Sequence, residues 1–177
     1  METFALAVPP NPTDHVIGPT SAHVVVVEYG DFECPNCQQA HAVVKIMLKH
    51  FEHRLRFIFR HYPLTEVHPH AEFAAEAAEA AGAQGRFWPM YDRLFEHPSQ
   101  LKLRDLRHHA EFLELDLARY DNELSDQVYR QRVNEHREGG RRSGVRSTPT
   151  FFLDGHVVDV SFGLENLMKA LEKATKR

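Results

Sequence analysis

The chain has 177 residues, of which 42% are apolar, 26% charged and two cysteine; this is the make-up of a globular protein long enough to bury a core. No apolar run approaches the roughly 20 residues of a transmembrane helix, so no membrane insertion is expected, and a net charge of −4 argues against nucleic acid as a partner. The amino terminus lacks a basic stretch, and its apolar run Phe4–Val8 is too short for a signal peptide; the sequence as written implies a cytoplasmic protein, or a periplasmic or secreted one if trimmed.

Residues 1–13 carry three prolines and no periodicity, and read as an irregular leader. His15–Ile17 is a candidate short strand. Val24–Tyr29 is a β-branched run of the kind that forms a strand buried on both faces. A helix is expected from Pro35, because Cys37, Ala40, Val43, Val44, Met47, Leu48 and Phe51 recur at spacings of three and four and share one face. Leu55–His61 alternates Leu55, Phe57 and Phe59 with Arg54, Arg56 and Arg60, the pattern of a half-exposed strand. Residues 66–143 show no strand signal. Helices are expected over Ala71–Ala83, Arg86–Glu96, Arg104–Leu113, Asp116–Glu123 and Ser125–Arg142. In the first of these, Ala71, Ala74, Ala75 and Ala78 form the apolar face and Glu72, Glu76 and Glu79 lie off it. Within Ser147–Val158 two short β-rich runs flank Asp154-Gly155, a two-residue hairpin signal, and Leu164–Lys176 is a closing amphipathic helix. The order is βαβ, a helical block, then ββα.

The two cysteines are Cys34 and Cys37, and random placement gives this spacing about once in ninety. A disulfide between them would close so small a ring that it removes only about 2 kcal/mol of unfolded-state entropy before strain. A bond that opens and closes is the better reading. Pro35 at the first helical position puts Cys34 at the helix start, where unpaired backbone N–H groups and the helix dipole favour a thiolate. Cys37, one turn on, faces the core. An exposed attacking thiol and a buried resolving thiol are what disulfide exchange needs, and a C-x-x-C beside a βαβ unit is a thioredoxin-like signal.

The segment Glu28-Tyr29-Gly30-Asp31-Phe32-Glu33-Cys34-Pro35-Asn36-Cys37 resembles the active-site segment of the DsbA-type thiol–disulfide oxidoreductases. Ser147-Thr148-Pro149-Thr150-Phe151-Phe152-Leu153-Asp154-Gly155 resembles that family's cis-proline loop and following hairpin, and the resemblance covers residues 14–176. It implies an α/β thioredoxin-like fold, a central mixed sheet flanked by helices, formed by residues 14–65 and 144–177, with an all-helical insertion at 66–143. It also implies roles. Cys34 attacks and Cys37 resolves; Pro149 is cis and lies against the disulfide; the Thr148 backbone pairs with a substrate strand; Glu28 is a buried base that deprotonates Cys37. Pro35 and Asn36 complete the substrate-facing surface. The sequence departs from strongly oxidising members at Asn36, where an imidazolium often stands. A neutral Asn36 points to a mildly depressed Cys34 pKa and an intermediate potential, which would suit a reducing cytosol.

The partners implied are protein or peptide thiols and disulfides, with a recycling partner to restore the pair. No cofactor is required, because two cysteines carry both electrons. Three rivals remain at this point. Zinc could use Cys34 and Cys37 with His41, His68, His70, His108 or His109, but His68-Pro69-His70 and His108-His109 match ligand spacing poorly; the histidines read instead as solvated surface, and no metal ligand is assigned. A partner-binding module could use Arg130, Arg132, Arg137, Arg141, Arg142 and Arg146, which interleave with Asp126, Glu135 and Glu138 as on a solvated helix face. A glutathione-dependent isomerase or transferase would not need Cys37. Phe87, Trp88, Tyr91 and Phe95 form a helix core face.

Overall fold

A computed structural model describes residues 5–176, so residues 1–4 of the expected leader lie outside the described residues. The chain divides into two compact units, the first formed by residues 1–30, 39–60 and 138–177 and the second by residues 31–38 and 61–137.

The first unit is built on a five-stranded sheet with the order β1-β3-β2-β4-β5, where β1 is His15–Ile17, β2 Val24–Gly30, β3 Leu55–His61, β4 Thr150–Leu153 and β5 His156–Val158. The strand β2, which opens on four consecutive valines, takes the centre, while the short β1 and β5 form the edges. β2 pairs antiparallel with β4, with Glu28 opposite Phe151 and Tyr29 opposite Thr150. The β4–β5 turn has positive φ at both Asp154 (47°) and Gly155 (82°), the conformation that an Asp-Gly hairpin favours. Helix α1, Pro35–His50, buries Cys37, Ala40, Val44 and Met47, followed by the buried Phe51, while Val43 and Leu48 of the periodic face read from the sequence are half-buried.

β3 departs from its expected half-exposure. Phe57, Ile58, Phe59 and Arg60 are all buried. The alternating arginine misleads because Arg60 has a complete set of internal partners. Its Nε and Nη2 donate to the two Asp14 carboxylate oxygens at 2.9 and 2.8 Å. Nη1 donates to the Val8 carbonyl at 2.7 Å and the Tyr29 hydroxyl at 3.2 Å, and Nη2 also donates to the Pro9 carbonyl at 3.0 Å. A buried guanidinium with this many acceptors is satisfied away from water, and it ties residues 8–14 to the sheet.

The second unit is helical: α2 Ala71–Ala83, α3 Phe87–Glu96, α4 Leu103–Phe112, α5 Leu117–Ser125 and the first turns of α6, Arg130–Arg142. α6 begins five residues later than its charge pattern suggests. Residues 126–129 form turns, with Gln127 in the left-handed region at φ 51°. α2 is the hub of the unit, in contact with α3, α4 and α5, and it buries Glu76 and Glu79 as well as its alanines. Several basic residues of α6 pair with carboxylates on the solvated face that the sequence implies. Arg130 pairs with Glu72 at 3.2 Å, Arg132 with Glu79 at 2.8 Å and Arg141 with Glu138 at 3.0 Å. The last helix, α7, spans Glu165–Ala174 in the first unit and buries Leu167 and Leu171.

Candidate functional site

The cysteine loop is set by Asp31. Its side-chain Oδ1 accepts from the Glu33 N–H at 2.8 Å, an Asx turn. Its carbonyl accepts from the Cys34 N–H at 3.1 Å, and its own N–H is directed at Cys37 Sγ at 3.5 Å. The Cys34 carbonyl accepts from the Gln38 N–H at 3.1 Å, so Cys34 caps α1 and Pro35 opens it, as the sequence implies. Both cysteines are thiols in this structure.

Cys34 is drawn further in than an exposed attacker: it is 5% exposed, against 0% for Cys37. The cause lies two residues earlier. Phe32 is seated in the aromatic face of α3, its ring 4.9 Å from Phe95 and 6.1 Å from Tyr91. That anchor leaves Pro35 and Asn36 as the exposed residues of the tetrapeptide. The order of accessibility is kept, because Cys34 remains the more open thiol.

Residues 64–70 fasten the loop from its other side. Asp31 is 2% exposed, and its Oδ2 accepts from the Leu64 N–H at 2.9 Å and lies 2.7 Å from His68 Nδ1. Glu33 accepts from the His70 N–H at 2.6 Å and lies 2.8 Å from His70 Nδ1. Burial pulls the His68 pKa down, but the Asp31 carboxylate, helped by the charges of Cys34 and Glu33, outweighs it and leaves the pKa raised above its ordinary 6.5. Sequence reading misses both acid–histidine pairs, which join residues 37 apart. The one local signal is an aspartate placed directly after a buried strand.

Glu28, Thr148 and Pro149 belong to the first unit. Glu28 is 1% exposed, which excludes a solvated strand-end carboxylate. The Thr148–Pro149 peptide is cis, and Thr148 is buried. These two residues directly precede β4, whose Thr150 pairs with Tyr29 of β2.

Most histidines lie at least partly at the surface, as the sequence reading has it, with three exceptions. His41, His61 and His109 are buried rather than solvated, and His68 and His70 are held by carboxylates instead of being offered beside the cysteines to a metal. A further cluster, His61, Glu79 and His136, comes together within the second unit. Its geometry is that of a hydrogen-bonded network: His61 Nε2 lies 2.8 Å from Glu79 Oε1, Arg132 pairs with Oε2, and His136 Nδ1 accepts from the His61 N–H at 3.2 Å.

The family model described as thioredoxin matches residues 10–173. An oxidised BdbD from Bacillus subtilis superposes with a TM-score of 0.84 at 21% identity, over 98% of this chain and 99% of that one. The thiol–disulfide exchange protein alpha-DsbA2 from Wolbachia pipientis superposes with a TM-score of 0.81 at 18% identity, over 93% and 88%. These likenesses establish the thioredoxin-like, DsbA-type fold. In sequence, the chain is 48% identical over 170 residues to a protein of Salinispora arenicola named Na(+)/H(+) antiporter NhaA 1, which covers 96% of this chain but 26% of that protein. The chain thus spans about a quarter of the length of the curated relatives it matches. That match overturns the expectation of a cytoplasmic protein, which rested on the amino-terminal residues alone: the aligned stretch is part of a protein named as a Na(+)/H(+) antiporter. Among the described residues no helix is long and apolar enough to cross a membrane.

Proposed function

The chain belongs to the thioredoxin family, and on that footing we propose that it is a thiol–disulfide oxidoreductase that exchanges two electrons between Cys34–Cys37 and the dithiols or disulfides of protein substrates. The observation that carries this is the placement of a C-x-x-C at the start of α1, with Cys34 as the cap and Cys37 one turn deeper. A thiolate at a helix amino terminus is stabilised by the orphan N–H groups and the dipole.

The Cys34 thiolate attacks one sulfur of a substrate disulfide; a Cys34–substrate bond forms, the substrate S–S bond breaks, and one substrate thiolate leaves. Cys37, deprotonated, attacks Cys34 Sγ; the internal disulfide forms and the second substrate thiolate leaves. Two electrons and two protons pass from the dithiol to the substrate, and the reverse sequence oxidises a substrate dithiol. In this reading Glu28 takes the Cys37 proton. Cis-Pro149 and the Thr148 backbone form the platform for a substrate strand, and the exposed Pro35 and Asn36 meet the substrate beside the sulfurs. A recycling partner restores the starting state after each turn.

The test is a pair of single substitutions assayed by insulin reduction with a thiol donor. Cys34→Ser abolishes exchange. Cys37→Ser traps a mixed disulfide, visible as an added mass that dithiothreitol removes. Normal turnover by Cys34→Ser would defeat the mechanism, and full turnover by Cys37→Ser would favour a glutathione-using enzyme instead.

A further inference from the structure

The tetrapeptide Cys34-Pro35-Asn36-Cys37 holds no charged residue between the cysteines. The charges nearest to it on the amino-terminal side, Asp31 and Glu33, are both acidic and would oppose a thiolate at Cys34. Each is answered by a histidine from the segment before α2. Glu33 is engaged by His70 through both its backbone N–H and its ring. Asp31 is the more consequential, because it is buried and meets both cysteines as well as its histidine: its backbone binds the Cys34 N–H and faces Cys37 Sγ, while its Oδ2 holds His68.

The geometry fixes the His68 tautomer. The Asp31 Oδ2 already accepts from the Leu64 N–H, so at 2.7 Å it also accepts the proton of His68 Nδ1. That leaves Nε2 to take the second proton, on a side chain that is 17% exposed and so within reach of solvent. The charged groups of the loop before α1 that surround His68 are Asp31, Glu33 and the thiol of Cys34, with Asp31 in direct contact. Asp31 joins the two groups, its carbonyl accepting from the Cys34 N–H while its Oδ2 holds His68.

We propose that His68, held by Asp31, is a positioning residue whose imidazolium offsets the buried carboxylate and stabilises the Cys34 thiolate. This rests on the exchange reading of the Cys34–Cys37 pair. His68 does by through-space charge what neither residue between the cysteines can do. Its coupling to Cys34 also makes its protonation depend on the redox state. A thiolate at Cys34 favours the imidazolium, and formation of the Cys34–Cys37 disulfide removes that thiolate.

The experiment has two arms. In the first, the rate of Cys34 alkylation by iodoacetamide is followed against pH in the wild type and in His68→Gln, which keeps a hydrogen-bonding group beside Asp31 but cannot be charged. The midpoint rises by about one pH unit in the variant, so the rate below the midpoint falls about tenfold. The glutathione equilibrium shifts about tenfold toward the disulfide, about 30 mV. An unchanged midpoint in a variant with wild-type circular dichroism overturns the proposal.

The second arm needs no substitution. The His68 ring is titrated by NMR in wild-type protein reduced with dithiothreitol and in protein oxidised with diamide. A higher His68 pKa in the reduced form supports the coupling, and identical values in the two forms overturn it. Failure of the exchange reading is seen separately, as wild-type protein that does not reduce insulin, whatever His68 does.

Discussion

Glu76 is a carboxyl group in an unusual position for a charged residue. It lies in the middle of α2, is 0% exposed, and neither carboxylate oxygen has a hydrogen-bond partner among the described residues. Burial, reinforced by the like charge of Glu72 one turn earlier and opposed by Arg130, pushes its pKa up to about 7 from an ordinary 4.5. The folded protein thus holds this proton more tightly than the unfolded chain, and stability must fall as pH rises from about 4.5 to about 7, then level off. Each tenfold difference in proton affinity between the two states is worth about 1.4 kcal/mol, so the ionised side chain costs at most about 3 kcal/mol above neutrality. Glu76→Gln removes the ionisation while keeping the shape. Urea unfolding of both proteins at about pH 4.5, 6, 7 and 8 isolates the effect, since every other titrating group cancels in the difference. The two proteins should be nearly equal at the lowest pH, and the variant should be more stable by about 1–3 kcal/mol at the highest. Parallel stability curves across this range, or a wild type that is the more stable protein at alkaline pH, would show that the carboxylate has a compensating partner and would refute the reasoning.

Two further predictions concern the sheet. Arg60→Met strands the buried Asp14 carboxylate and removes the donor from the Val8 and Pro9 carbonyls, so unfolding free energy should drop by about 3–5 kcal/mol; a loss below about 1 kcal/mol in urea would mean that water replaces the guanidinium. Gly18 sits at φ 109° before the Val24–Gly30 strand, and a Cβ there would overlap the Leu55 carbonyl oxygen. Gly18→Ala should therefore cost about 1–3 kcal/mol, read as a lowered urea midpoint at unchanged slope.

The elements that could be read from the sequence are those whose signal is local. The β-branched run at Val24–Tyr29, the three-four spacing from Cys37 to Phe51 and the Asp154-Gly155 turn each act within a few residues, and each element stands where its pattern puts it. Charge misled wherever a distant group supplied the counterpart. Arg60 reads as solvent-facing because Asp14, Val8 and Pro9 are some fifty residues away in sequence. Glu76 and Glu79 read as the wet face of α2 because one helix viewed alone does not show that neighbours cover it on several sides. The same blindness bears on the chemistry. Asn36 argues for a modest effect on Cys34 only if the charge around the sulfur comes from the tetrapeptide itself. In the fold the nearby acidic groups, Asp31 and Glu33, are each met by a histidine, His68 and His70. The electrostatic setting of Cys34 is therefore written in two segments that become neighbours only when the chain folds back. On the proposal made for His68, the charge beside Cys34 depends on the proton of that histidine as well as on Asn36.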